Sequence, residues 1–128
     1  MKYNYDDKRR CEIMGLSYPP EYLGGCQRFS GLTLEALNLL LDELFIDPEE
    51  CQNCSPNTIE FKAFLEAYPE CTLHGYIVTP ERDDYRVTIE GLGYHGEVSK
   101  EMLMDFINTF RIADEFTCDD DYLYCWFD

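Results

Sequence analysis

Cys51-Gln52-Asn53-Cys54 is the one cysteine pair in the chain at the spacing of a metal knuckle, and Cys71-Thr72-Leu73-His74 follows it after sixteen residues. Three thiolates and an imidazole in that order form a Cys3His zinc set, with the ion about 2.0–2.3 Å from each donor. The intervening residues argue against convergence. They carry a helical pattern, and twelve helical residues span about 18 Å, whereas two ligands of one zinc hold their donor atoms within about 4 Å of each other. The expectation is therefore a chain without metal or cofactor; Cys51, Cys54, Cys71 and His74 are the set that would form a small zinc-binding domain if one existed. Seven cysteines is an odd count, and no apolar signal segment opens the chain. The thiols are expected to stay reduced in a cytoplasmic protein and to serve mostly as small buried hydrophobes.

Other reactive side chains lack the company that catalysis needs. His74 and His95 have no serine or cysteine beside them in a nucleophile context, so each reads as a hydrogen-bonded or surface histidine. Gly91-Leu92-Gly93-Tyr94-His95-Gly96 has the glycine content of a phosphate loop. The helix after it, however, brings no Lys-Ser/Thr pair, and the string reads as a strand exit and turn. Asp119-Asp120-Asp121 lacks the alternating ligands, glycine and terminal Glu of a calcium loop, and reads as an acidic hairpin turn. No enzymatic activity is expected.

Charge is the more informative signal: 26 acids against 10 bases give a net −16. Such a chain repels nucleic acid and anionic membrane, so direct binding to either is not expected. The charge is also uneven. Residues 1–32 come to +1, 33–70 to −8, 71–100 to −2 and 101–128 to −7. Two acidic blocks of this strength repel each other within one small domain, a cost that solubility alone does not require. Carboxylates that steer and aromatic residues that anchor suit a protein docking on a basic surface. The residues expected to contact such a partner are Glu35, Asp42, Glu43, Asp47, Glu49 and Glu50 in the first block. In the second they are Asp114, Glu115, Asp119, Asp120 and Asp121. Each carboxylate would stand where a phosphate oxygen otherwise sits, facing the basic groove of a nuclease or another nucleic-acid-binding protein. In size, charge and lack of a catalytic signature the chain resembles the inhibitors of phages and mobile elements grouped as anti-CRISPR and anti-restriction proteins. The likeness is one of composition, and that group has no shared motif to carry residues over. It implies a DNA-mimic inhibitor working by protein–protein interaction. The alternative is an acidic interaction or accessory domain, of bacterial or mobile-element origin, with no inhibitory role.

These side chains must be positioned by a single domain, since 128 residues with 45% hydrophobic and 15% aromatic content supply one core. Residues 1–32, broken by Pro19-Pro20 and Gly24-Gly25, read as an irregular segment lying across the helices, because Ile13, Met14, Leu16 and Leu23 need cover. Thr33 is an N-cap for a helix with Leu34, Leu37, Leu41, Leu44 and Phe45 on one stripe, stopped by Asp47-Pro48. Asn57 with Glu60 predicts a capping box, and the helix it opens, with Ile59, Phe61, Phe64, Leu65 and Tyr68 on a broad apolar face, runs to Pro69. Residues 72–79 and 85–92 read as a hairpin. Ser99 caps a third helix carrying Leu103, Phe106, Ile107 and Phe110, and residues 115–118 and 122–127 form a second hairpin. In that last strand Tyr122, Tyr124 and Trp126 alternate with Leu123, Cys125 and Phe127, so one set faces away from the core; Trp126 is nonetheless expected to be packed inside. The fold class is α+β: a small antiparallel sheet of two hairpins against about three helices, with an irregular N-terminal segment.

Overall fold

The computed structural model describes residues 1–128. Five strands form one antiparallel sheet in the order β1-β2-β3-β5-β4: β1 (Cys26–Leu32), β2 (Thr72–Val78), β3 (Val87–His95), β4 (Glu115–Cys118) and β5 (Tyr122–Trp126). Four helices accompany it: α1 (Asp7–Met14), α2 (Leu34–Asp42), α3 (Thr58–Ala67) and α4 (Lys100–Phe110). The α4 crossover carries the chain from β3 to the far edge, and β5 then inserts between β3 and β4. One core joins Leu37 and Leu40 of α2, Phe61, Phe64 and Leu65 of α3, and Met102, Phe106 and Phe110 of α4 to the inward side chains of the sheet. Phe61 stacks on Phe110 and Phe64 meets it edge to face, with ring centroids 5.5 and 5.0 Å apart, so the α3–α4 contact is aromatic. No helix is long and apolar enough to cross a membrane.

Residues 1–32 are not irregular. Asp6 caps α1 by accepting from the Arg9 N–H, Gly15 ends it at φ +69°, and β1 adds a fifth strand by pairing with β2. The segment is held by Arg10, whose side chain is fully buried. Its guanidinium donates to Asp7, to the Tyr22 hydroxyl and to the carbonyls of Val78 and Arg86, and lies 4.3 Å from the centre of the Tyr85 ring. Ile13, Met14 and Leu16 pack on the core as their composition demands, whereas Leu23 stays exposed.

Capping chemistry sets the other helices. Thr33 accepts from the Ala36 N–H and Ser99 from the Met102 N–H, and both halves of the Asn57–Glu60 capping box form. The end of α2 departs from expectation. It stops at Asp42, with Phe45 N–H bonding to the Leu40 carbonyl and Leu44 N–H to that of Leu41. This is a Schellman motif whose left-handed position is filled by Leu44 at φ +66°. Leu44 therefore points to solvent and Leu40 takes its place in the core. Ile59, expected inside, is also exposed. β3 runs on through Gly91 and Gly93 to His95, so the glycine string lies within a central strand and is no turn.

Candidate functional site

The face of the sheet turned away from α2, α3 and α4 carries the residues with chemistry. Cross-strand register lays them out in rows. Glu115, Trp126, Gly91 and His74 form one row across β4, β5, β3 and β2, and Thr117, Tyr124, Gly93 and Thr72 form the next. Tyr122 opposite His95 begins a third. Trp126 is thus a half-buried residue of the outer face, while Leu123, Cys125 and Phe127 fill the core. The expected packing of Trp126 inside is overturned by strand alternation alone.

His74 and the two glycines shape this face. A Cβ on Gly91 would meet the Cys125 carbonyl oxygen at 1.9 Å and the His74 ring at 2.6 Å, so the imidazole lies directly over a glycine. There its Nε2 donates to the Cys125 carbonyl at 3.0 Å, and the ring stacks on Tyr124 at 5.2 Å with the planes 8° apart. Burial holds the His74 pKa below the usual histidine value, so the ring is neutral at pH 7. Because the carbonyl only accepts, the proton sits on Nε2, leaving Nδ1 as a lone-pair acceptor. Tyr122 continues the row, nearly parallel to Tyr124 at 6.3 Å, and His95 rests against Tyr122 at 4.5 Å. Above Gly93 there is nothing within 4 Å of the missing Cβ. The opening belongs to a cavity of about 340 Å³ bounded by His74, His95, Tyr122, Tyr124 and Glu70. A wider groove of about 690 Å³ adjoins it past His74, reaching Trp126, Glu115 and Arg28. Arg28 is paired with the buried Glu90.

Carboxylates gather mainly along the β4 edge. Asp114 and Glu115 stand at one end of β4, and Asp119, Asp120 and Asp121 form the turn at the other; all five are exposed. Backbone bonds from Gly96 N–H to the Asp121 carbonyl and from Val98 N–H to that of Asp120 fix the turn. The loop between α2 and α3 reaches the same edge through Asn53, which donates to the Asp128 carbonyl, and the Asp128 N–H donates to Asp114. Asp47, at the start of that loop, is beside Tyr3 and Glu50, and Glu49 is exposed. Other expected contact residues are occupied or elsewhere. Glu43 accepts a two-pronged interaction from Arg9, and Glu50 is half-buried beside Arg86 and Thr88. Burial raises the Glu50 pKa. Glu35 and Asp42 are exposed on α2, which packs on α1 and α3 and not on the β4–β5 hairpin.

The structure does not assemble the four zinc-set residues. Cys51 and Cys54 are exposed in the α2–α3 loop, whereas Cys71 is in the core and His74 is on the opposite face of β2. No group of three or more potential ligands comes together. Burial pushes the Cys71 and Cys125 thiols up to about 12, which leaves them protonated and unreactive.

Sequence reasoning gave the β4–β5 hairpin its acidic turn and missed the outer-face cavity. The alternation of Tyr122, Tyr124 and Trp126 was one available signal, and two glycines inside a strand pattern were another. Compared with known protein families, with curated proteins and with solved structures, the chain matches none.

Proposed function

We propose that this protein is a binding protein that presents its acidic β4 edge to the basic groove of a DNA- or RNA-handling enzyme, as a nucleic-acid mimic of the anti-CRISPR or anti-restriction kind. The observation that carries this reading is the placement of ion pairs. Arg9, Arg10, Arg28, Arg82 and Arg86 account for all seven salt bridges, and every partner lies between Asp7 and Glu90. Residues 101–128 hold eight acids and one base, Arg111, and take part in none. No cation of the chain neutralises their charge, although Asp105 accepts from the Tyr68 hydroxyl and Asp114 from the Asp128 N–H.

Spacing supports the same reading. From Glu115 to Asp119 the strand rises about 13 Å, over which one strand of duplex DNA presents about four phosphates. Asp114 and Glu115 at one end of that span and Asp119, Asp120 and Asp121 at the other place two groups of carboxylates where the first and last of those phosphates would stand. The turn is pinned by backbone bonds, so little ordering entropy opposes docking.

The test is capture of a partner from host extract on the immobilised protein, followed by challenge with duplex DNA and with rising salt. Duplex DNA and salt are both expected to release the partner, and Asp119→Asn/Asp120→Asn/Asp121→Asn is expected to capture none with an unchanged or higher melting temperature. A partner that binds equally well with its nucleic acid already loaded, without salt dependence, overturns the proposal.

A further inference from the structure

The cavity over Gly93 has a composition that the acidic edge does not explain. Glycine inside a central strand costs about 0.5–1 kcal/mol relative to alanine, and Gly93 repays none of this through a close contact, since the space above it is empty. Its backbone φ is not positive, so no turn requires it. Gly91, two residues earlier, shows the contrast: there the His74 ring fills the room.

The walls offer a carboxylate, hydroxyls and π-systems, and no lysine or arginine. The rings of His74, Tyr122 and Tyr124, the Glu70 carboxylate and the hydroxyls of Ser30 and Thr72 surround the opening. Arg28 belongs to the adjoining groove and is already neutralised by Glu90. A fitting occupant is planar, donates hydrogen bonds and is positively charged. Guanidinium meets these conditions: it has five N–H donors and stacks on aromatic faces. A cavity of about 340 Å³ also has room for the methylenes that carry it.

We propose that the outer-face cavity over Gly93 receives an arginine side chain of a basic protein partner, stacked beside Tyr122 and Tyr124 and donating to the Glu70 carboxylate. The proposal rests on the reading of the protein as one that docks on a basic surface. It adds the anchor that an electrostatic edge lacks, because arginine and tyrosine are typical of the few residues that dominate interface energy. Trp126, the only tryptophan, lies one row away on the same face and reports on the site by its fluorescence.

The experiment is a Trp126 fluorescence titration of the full chain with hexaarginine and with hexalysine, peptides of equal charge. Wild type is expected to bind hexaarginine about tenfold more tightly than hexalysine. Gly93→Val, which places methyl groups in open space, is expected to fold with an unchanged or higher melting temperature and to bind both peptides as weakly as wild type binds hexalysine. Tyr122→Ala serves as the second variant and is expected to lose the same preference. Equal affinities in wild type, an arginine preference that survives both substitutions, or binding of hexauridylate in place of hexaarginine each overturn the proposal. The acidic-edge reading fails separately. Asp119→Asn/Asp120→Asn/Asp121→Asn should weaken both peptides alike and keep their ratio, and unchanged hexalysine binding in that variant refutes the edge while leaving the cavity standing.

Discussion

Replacing Arg10 with methionine tests how the N-terminal segment is held to the domain. The Arg10 side chain is 0% exposed and that of Asp7 11%, with the guanidinium Nη2 3.0 Å from the carboxylate. The same nitrogen donates to Val78 O and to the Tyr22 hydroxyl, each at 2.9 Å. Methionine refills the methylene volume but leaves the Asp7 carboxylate buried without its cation and removes a donor from the Val78 carbonyl, while the Tyr22 hydroxyl still donates to Asp7 and the Val78 N–H to the Arg86 carbonyl. Breaking one side of a buried pair costs about 3–5 kcal/mol, the lower end applying here because Tyr22 still donates to Asp7, and the lost contact with the Tyr85 ring adds about 1 kcal/mol. An expected loss of about 4 kcal/mol is a large share of the 5–15 kcal/mol typical of a domain, and lowers the melting temperature by roughly 12–20 °C. Urea unfolding followed by circular dichroism measures it. Adding Asp7→Asn removes the stranded charge, so the double variant should recover about 2 kcal/mol relative to the sum of the single changes. A loss below about 1 kcal/mol for Arg10→Met, with no coupling to Asp7, would refute the reasoning and show that α1 is a detachable arm.

Four further outcomes follow from the geometry. Gly91→Ala should destabilise by more than about 3 kcal/mol, because its Cβ would fall 1.9 Å from a backbone oxygen, while Gly93→Ala should be neutral or stabilise by about 0.5–1 kcal/mol; paired denaturation curves compare them. Leu44→Gly should raise stability by about 1 kcal/mol, since an exposed leucine occupies the left-handed end of α2; thermal melts of the two proteins decide it. His74 has a folded pKa below its unfolded value of about 6.5, so the stability it contributes is complete above that pH and is lost as pH falls through the folded pKa. Melts in 0.2-unit-spaced buffers should therefore show a downward slope below about pH 6.5 that His74→Gln reduces. The unpaired carboxylates of residues 101–128 repel one another, so the melting temperature should rise between low and moderate sodium chloride, and less so once Asp119, Asp120 and Asp121 are neutralised.

Much of the chain's architecture is local and was legible for that reason. The Asn57–Glu60 box and the caps at Thr33 and Ser99 each depend on residues within four positions of one another, and the acidic β4–β5 turn closes locally through the Asp119 N–H on the Tyr122 carbonyl. The same holds for the inward set Leu123, Cys125 and Phe127, whose period of two is a property of any strand. What the sequence concealed rests on partners distant along the chain. α1 has no apolar stripe to announce it, and its support comes from Arg10 reaching carbonyls 68 and 76 residues away. β1 is a strand because an edge of β2 was free to pair with it. Leu44 has no glycine to mark a helix end, and only the burial of Phe45 and Leu40 around it makes the left-handed turn favourable. Glu43 and Glu50 look free in the sequence and are drawn to Arg9 and Arg86 in the structure. The outer-face cavity is the furthest from local rules. It requires β5 to insert between β3 and β4, so that Tyr122 and Tyr124 flank a glycine of one neighbouring strand and a histidine of the next. Sequence periodicity says which way a side chain points; the strand order alone decides what it then meets.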